Sequence, residues 1–236
     1  MAQIANERPA LADSLWTATA NPSPDRPSLN GKAEADTVVI GGGFTGLSAA
    51  LHLAEAGQSV IVLEAEAPGW GASGRNGGQV NPGLKPNPDE LIARFGDDLG
   101  RRMATRWGNG GPLLFGLIEK HGIQCDAAPV GFLRSATSEK TLAGLREIAR
   151  QWRVHGAEYE DVSAQDMAQM VGADAYIGGV IDRRGGNIHP LNYALGLADA
   201  AERAGAVIHG RSRATGFASA NGEVIVQTAD GEVKAR

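Results

Sequence analysis

Hydrophobic spacing along this chain switches repeatedly between strand-like and helix-like periods, and glycine or proline stands at most of the switches. Thr37 to Ile40 is a short β-branched apolar run of the kind buried on both faces of a parallel sheet. From Phe44 to Ala56 the period becomes helical, with Leu47, Ala50, Leu51 and Ala54 on one stripe and Gly57 as the stop. Ser59 to Leu63 predicts a second parallel strand. The pattern then breaks into PGWGASGRNGGQVNPG, with six glycines between Gly69 and Gly83. From Asp89 the chain reads helical again, through LIARFGDDLGRRMATRW and then PLLFGLIEKHG, where Pro112 is a first-turn residue. Gly131 to Ala136 predicts a strand. Thr141 to His155 predicts a helix with Leu142, Leu145, Ile148, Ala149 and Trp152 on one side. Ser163 with Asp166 marks the start of a short helix in DVSAQDMAQMVG. Pro190 opens a helix through Ala204 that turns Leu191, Ala194, Leu195, Ala198 and Ala201 inward, and Gly205 closes it. Ala206 to His209 is a further parallel strand. Asn221-Gly222 and Asp230-Gly231 signal hairpins around the alternating strand Glu223 to Thr228. A last strand beginning at Glu232 runs only four residues further, which predicts an unpaired edge and an unfinished sheet.

The order strand, glycine turn, helix, strand makes this an α/β chain with a Rossmann-like dinucleotide-binding domain interrupted by an α+β insertion on the substrate side. Residues 1–35 read as an extended N-terminal arm, 36–83 as the first part of the dinucleotide-binding domain, 84–185 as the insertion, and 186–236 as the second part, incomplete. Within the arm, NPSPDRP should run extended over the surface, and Trp16 is placed to pin it to the body. Glu7, Arg8 and Asp13 interrupt any apolar leader core. The uncharged stretch Thr37 to Ala54 is too rich in glycine, and carries His52, so it does not read as a membrane span.

Composition narrows the field further. A hydrophobic share of 42% and a charged share of 21% are those of an ordinary globular protein with ample core. A formal net charge of −5, with no long Lys/Arg cluster, excludes nucleic acid as an expected partner. A single cysteine, Cys125, rules out an intrachain disulfide and suits the reducing cytoplasm, with the thiol read as buried filler.

The candidate chemistry centres on Gly41 to Glu64. Gly41 lets the chain turn as it leaves the strand, Gly43 permits close approach of phosphate to backbone, and Gly46 lets helix and strand press together. Free N–H groups at a helix N-terminus then meet the two charges of a pyrophosphate. Glu64, about 20 residues past the glycines at a strand end, is positioned to accept both ribose hydroxyls and to repel a 2′-phosphate. FAD or NAD is therefore favoured over NADP. In the glycine-rich loop, Ser73, Arg75, Asn76 and Gln79 offer polar contacts, while Gly74, Gly77 and Gly78 offer close backbone approach. His52, His121, His155 and His209 read as structural, and His189 as a cap for the helix at Pro190. No acid/base pair is visible, so no catalytic side chain is named.

These residues resemble the FAD-dependent oxidoreductases of the D-amino-acid oxidase and sarcosine oxidase type, and within them γ-glutamylputrescine oxidase-like enzymes. The likeness is carried by SLWTATANPSPDRP, VVIGGGFTGLSAALHLAEAGQSVIVLE, GWGASGRNGGQVNPG and GGNIHPLNYALGLADAAERAGAVI. It implies FAD as cofactor, with Gly41, Gly43, Phe44, Thr45 and Gly46 on the pyrophosphate and Glu64 on the adenosine ribose. It places Ala72, Ser73, Arg75, Asn76, Gly77, Gly78 and Gln79 along the ribityl chain and ring, and the backbone near Ala214, in the strand after His209, at the adenine. The implied reaction takes a hydride equivalent from the carbon bearing an unprotonated amine. The product is an imine that water hydrolyses, with molecular oxygen as final acceptor and peroxide as its product; Arg75 is a candidate for stabilising negative charge on the reduced ring. Members of this family run longer, so the C-terminal part is missing and a C-terminal companion chain is a possible partner beside the small-molecule amine. Two alternatives stand: an NAD-dependent dehydrogenase, and a non-catalytic dinucleotide-binding fragment that needs a partner chain.

Overall fold

A computed structural model describes residue 8 and residues 10–236, apart from the side chain of Ala220. Glu7, one of the residues expected to interrupt a leader core, lies outside the described residues. The chain forms two compact units. The first comprises residues up to Gly77, His121–Cys125 and His189–Arg236; the second comprises Gly78–Lys120 and Asp126–Ile188.

The arm of the first unit begins with a one-turn helix, α1 (Leu15–Ala18), and ends in a strand, β1 (Gly31–Glu34). Strand β2 (Thr37–Ile40) leads through the glycine turn into helix α2 (Phe44–Glu55), and β3 (Val60–Leu63) follows. After the second unit come helix α8 (Pro190–Arg203), strand β9 (Val207–His209) and the meander β10 (Gly216–Ala220), β11 (Glu223–Gln227) and β12 (Gly231–Ala235). Strands β2, β3 and β9 form a parallel sheet with β3 in the middle. All four residues of β3 are buried, a gain of about 1.5–3 kcal/mol per large aliphatic side chain. Strand β2 departs from its expected burial on both faces. It is the edge of this sheet, its residues are at most half-buried, and Ile40 is 44% exposed.

Two expectations about the chain ends are corrected. Strand β12 has no unpaired edge: it lies antiparallel to β11 on one side and parallel to β1 on the other, from Gly31 opposite Gly231 to Glu34 opposite Lys234. The stretch before residue 36 is therefore not merely an extended arm. Its last strand completes a sheet of order β1-β12-β11-β10, over a core of Leu29, Ile61, Leu63, Val226 and Val233. The rest of the arm is fastened to α8. Trp16 packs edge-on against His189 at 4.9 Å, Asn21 donates its N–H to the Asn192 side chain, and Arg26, only 5% exposed, pairs with Asp199 at 2.7 Å and Glu202 at 2.8 Å. His189 caps α8 as expected, with Nδ1 accepting the Asn192 N–H at 3.1 Å.

In the second unit β4 (Gln79–Val80) pairs with β8 (Gly186–Asn187). The long helical run expected from Leu91 to Trp107 is broken at Gly96 (φ +82°) into α3 (Pro88–Phe95) and α4 (Asp97–Gly108), before α5 (Gly110–His121). Strand β5 (Phe132–Ala136), helix α6 (Glu139–Val154) and helix α7 (Ala164–Val171) lie where the spacing puts them, with Ser163 capping α7. Strands β6 (Tyr159–Ser163) and β7 (Gly178–Asp182), like β4 and β8, have no sequence forecast, and β5, β6 and β7 form a sheet of order β5-β7-β6. Strand β7 opens on Gly178 and Gly179, which carry no side-chain period; a Cβ on Gly179 would run into the Arg134 carbonyl oxygen and the Met167 methyl. The buried Asp182 holds Arg184 at 2.7 Å, and the Arg184 guanidinium lies over the Trp152 ring. Burial, with Asp182 alongside, pushes the Tyr159 phenol up to about 12.

Pairing on both edges of β12 has a measurable consequence. Amide hydrogens of Glu232 to Lys234 should exchange as slowly as those of β11 in a hydrogen-exchange experiment. Fast exchange there, with β11 protected, would show that β1 does not close the sheet.

Candidate functional site

The first unit brings the glycine turn, the acid and the loop after it together around the start of α2. Gly41 adopts φ +105°, which an L side chain resists, and its N–H donates to Leu63 O at 2.9 Å. A Cβ on Gly46 would run into the Gly41 carbonyl oxygen and meet Val39 Cγ1 at 3.1 Å, so the helix rests directly on the turn. Gly43 is the N-cap of α2 and has no side chain with which to cap it. The cap arrives from elsewhere: the Phe44 N–H donates to Ser73 Oγ at 2.9 Å, and a Cβ on Gly43 would come within 3.0 Å of that oxygen. The N–H groups of Thr45 and Gly46, next in the first turn, take no partner among the described residues. Thr45 is exposed, while the Phe44 ring packs against Tyr193 of α8 at 5.2 Å. Burial, reinforced by the nearby Cys125, pushes the Tyr193 phenol well above its ordinary range.

Glu64 points at the turn. Its Oε2 accepts the Gly42 N–H at 2.6 Å and its Oε1 accepts the Glu66 N–H at 2.8 Å. Each oxygen keeps a further lone pair, so a ribose hydroxyl remains within its chemistry. The carboxylate thus shapes the turn itself. Gly42 is a site residue that the sequence analysis passed over: its side would meet Glu64 Cγ at 3.1 Å, and its carbonyl accepts the Gly69 N–H at 2.9 Å. Its place as the middle glycine of the run Gly41-Gly42-Gly43 was the available signal.

The loop from Gly69 to Gly77 is ordered by its own small residues. Ala72 and Ser73 lie in a 3-10 turn, Ala72–Gly74. Gly74 is buried against Leu191 of α8 and the Gly69 carbonyl. Asn76 turns its amide back onto the Ala72 and Ser73 carbonyls at 3.2 and 2.9 Å. Arg75 donates Nε to Trp70 O at 2.6 Å and lays its guanidinium 4.3 Å over the Trp70 ring, an arrangement that fixes the loop's entry. Gly77 is exposed and ends the first segment of the first unit. Gly78 and Gln79 begin the second unit, where Gly78 O accepts the Ile188 N–H and Gln79 sits in β4 opposite Asn187.

The expected place of Ala214 is corrected. It lies in the connection ahead of β10 and not within a strand, and it packs against the core of Leu29, Ile61 and Leu63. The connection is nevertheless tied to the acid, since Ser212 donates its N–H to Glu64 O at 2.8 Å and Arg211 donates to Glu66 O at 2.9 Å. Arg213 adds an ion pair to Glu66 at 3.0 Å. Sequence spacing carried no sign of this pairing, because residues 64 and 212 meet only through the sheet.

Among the described residues no cluster of three metal-ligating side chains occurs, and no helix is long and apolar enough to cross a membrane.

The family model described as "FAD dependent oxidoreductase" matches residues 36–236. The chain is 39% identical to the γ-glutamylputrescine oxidoreductase of Escherichia coli (strain K12) over 94% of its own length and 52% of that protein. Among solved structures, L-amino acid deaminase from Proteus myxofaciens in complex with anthranilate matches with a TM-score of 0.75 and 22% identity, over 92% of this chain and 47% of that one. Glycine oxidase from Geobacillus kaustophilus matches with a TM-score of 0.69 and 22% identity, over 86% and 54%. These likenesses establish the fold, and the chain spans about half the length of the curated relative it matches.

Substituting Gly46 by Ala sets a methyl group against the Gly41 carbonyl and should cost about 1–3 kcal/mol in urea denaturation. Gly71→Ala, which meets open space at φ −74°, is the control and should stay within about 0.5 kcal/mol. Equal stability of the two variants would contradict the close seating of α2 on the turn.

Proposed function

The chain belongs to the family of FAD dependent oxidoreductases, and from that premise we propose that it forms the FAD-holding portion of an enzyme that oxidises the carbon–nitrogen bond of an amine or amino acid. The carrying observation is the start of α2. Two N–H groups without partners, on Thr45 and Gly46, stand at a bare glycine turn whose shape is set by a carboxylate. A diphosphate fits that donor set, because the helix dipole and the free donors favour anionic oxygens.

On this reading Gly41, Gly43, Phe44, Thr45 and Gly46 receive the pyrophosphate and Glu64 takes the adenosine ribose. Ser73 contributes in a particular way. Its oxygen is committed as acceptor to the Phe44 N–H, which leaves its single O–H to donate to a phosphate oxygen. Ala72, Asn76 and Gly77 bring loop backbone toward the rest of the cofactor, with Arg75 holding the loop through Trp70 and Ala214 at the adenine end. The family decides the cofactor in favour of FAD over NAD. Bound FAD would supply the two-electron acceptor for amine oxidation, with molecular oxygen taking the electrons onward. The name of the Escherichia coli relative makes γ-glutamylputrescine, a primary amine, the first substrate to try.

Purified chain mixed with FAD should retain it through desalting and show the flavin's visible absorbance. Gly43→Val drives a side chain toward Ser73 and should abolish that retention. Ser73→Ala removes one cap and one phosphate donor, and should weaken FAD binding by about 5–10-fold while the chain stays folded. Retention unchanged in Gly43→Val would overturn the assignment of the site. Turnover of amines by this chain alone, against turnover only with a companion polypeptide, separates a self-sufficient oxidase from a cofactor-holding portion.

A further inference from the structure

Strand β2 of the first unit has the residues of a sheet interior and the position of a sheet edge. A threonine, two valines and an isoleucine suit a parallel strand covered on both faces. Both faces are covered: Val38 packs against the core around Leu29, Ile61 and Leu63, and Val39 Cγ1 lies beside Gly46 of α2. The edge is open. Strand β3 takes one side of β2, and among the described residues no strand takes the other. Thr37 to Val39 are accordingly half-buried and Ile40 is 44% exposed. Edges that must stay free carry a charge, a proline or a bulge, and Thr37–Ile40 carries none.

Backbone direction shows which groups stand on that edge. Successive N–H groups of an extended chain point to opposite sides. Thr37 and Gly41 donate theirs to the β3 side, at Ser59 O (3.1 Å) and Leu63 O (2.9 Å), so Val38 and Ile40 turn their N–H and C=O groups outward. One outward group of the same edge is already engaged. The Asp36 carbonyl accepts the N–H of Arg236, the residue after β12, at 3.4 Å. That bond has the form of the first rung of a parallel ladder, with Arg236 as the first residue of the pairing partner. The next rungs would join Val38 N–H to the Arg236 carbonyl, then Val38 C=O and Ile40 N–H to a residue two positions further along.

We propose that the outer edge of β2 receives a parallel, apolar strand entering directly from Arg236, supplied by the portion of the longer relatives that this chain does not span. The chain covers 52% of the Escherichia coli protein to which it is 39% identical, so the remainder has ample length for one. A polypeptide leaving β12 at Arg236 enters beside Asp36 and runs with β2, which fixes direction and register together. A second copy of β2 fits less well. Two copies about a twofold axis run antiparallel, and each would displace the other's Arg236 from Asp36. Beside Val38 and Ile40 an apolar, β-branched strand packs best, and its arrival moves β2 from the edge to the interior of the sheet. The inference makes no use of the FAD assignment.

Hydrogen exchange read amide by amide tests this on three proteins: the whole chain, a fusion carrying the C-terminal half of the Escherichia coli relative after Arg236, and the chain extended at the same point by Thr-Val-Val-Ile-Gly, a copy of β2 and its following glycine. In the chain alone Val38 and Ile40 should exchange fast, while Val39 and Gly41, facing β3, exchange slowly. In both extended proteins Val38 and Ile40 should slow by about a hundredfold or more, with β3 and β11 unchanged. A polar extension, Ser-Asn-Ser-Asn-Gly, should leave them fast. The short extension adds too little to disturb the fold, so it decides the matter should the longer fusion not fold. Val38 and Ile40 still fast in a folded fusion or in the apolar extension would overturn the proposal. So would equal protection by the polar extension, or protection in the chain alone accompanied by dimerisation in sedimentation velocity.

Discussion

The first unit depends on one buried-edge interaction, the carboxylate of Glu64 bridging the Gly42 and Glu66 N–H groups. Two parallel strands, β2 and β3, end side by side, and each leaves backbone donors that no strand partner can reach. A charged acceptor satisfies one donor from the turn after β2 and one from the chain after β3. Hydrogen bonds to a carboxylate are stronger than those between neutral groups, so the turn is held firmly in one shape. The same strand end accepts the Ser212 N–H through the Glu64 carbonyl, which draws the connection carrying Ala214 to the site.

Around that tie the packing is made by absence of side chains. Gly46 lets α2 settle on the turn; Gly69 and Gly74 let the following loop lie on Leu191 and Ala194 of α8. Helix α8 in turn is buried nearly all round and takes the N-terminal arm on another of its faces, through His189, Asn192, Asp199 and Glu202. The buried guanidinium of Arg26 is tolerable only because two carboxylates and Ser23 surround it, and removal of those partners would strand a charge out of water. Ser73 completes the arrangement by capping α2 from the loop, so the loop and the helix are fixed by each other.

What could be read from residue order was whatever short-range rules govern. Periodicity located α2, β3, α6 and α8, because each buries one stripe or one short run set by a fixed repeat. The glycine spacing and the acid at position 64 were legible for the same reason: a turn, a close approach and a strand end are local demands on a few residues. Capping was legible too, at Ser163 and His189.

Contacts distant in sequence were decided by the tertiary structure alone. Four polar or small residues, Gly31–Glu34, carry no strand period, yet they close the sheet because β12 needs a second edge. Strand β7 begins with glycines and was invisible until β5 and β6 were seen to flank it. That β2 is half-exposed, that Arg75 spends its guanidinium on Trp70, and that Ala214 sits before its strand all follow from which elements lie beside which. Sequence fixes the repeat of a segment and the chemistry it can offer. Which neighbours satisfy its donors, acceptors and apolar faces is a property of the folded whole, because loop closure over a hundred residues leaves no trace in local spacing.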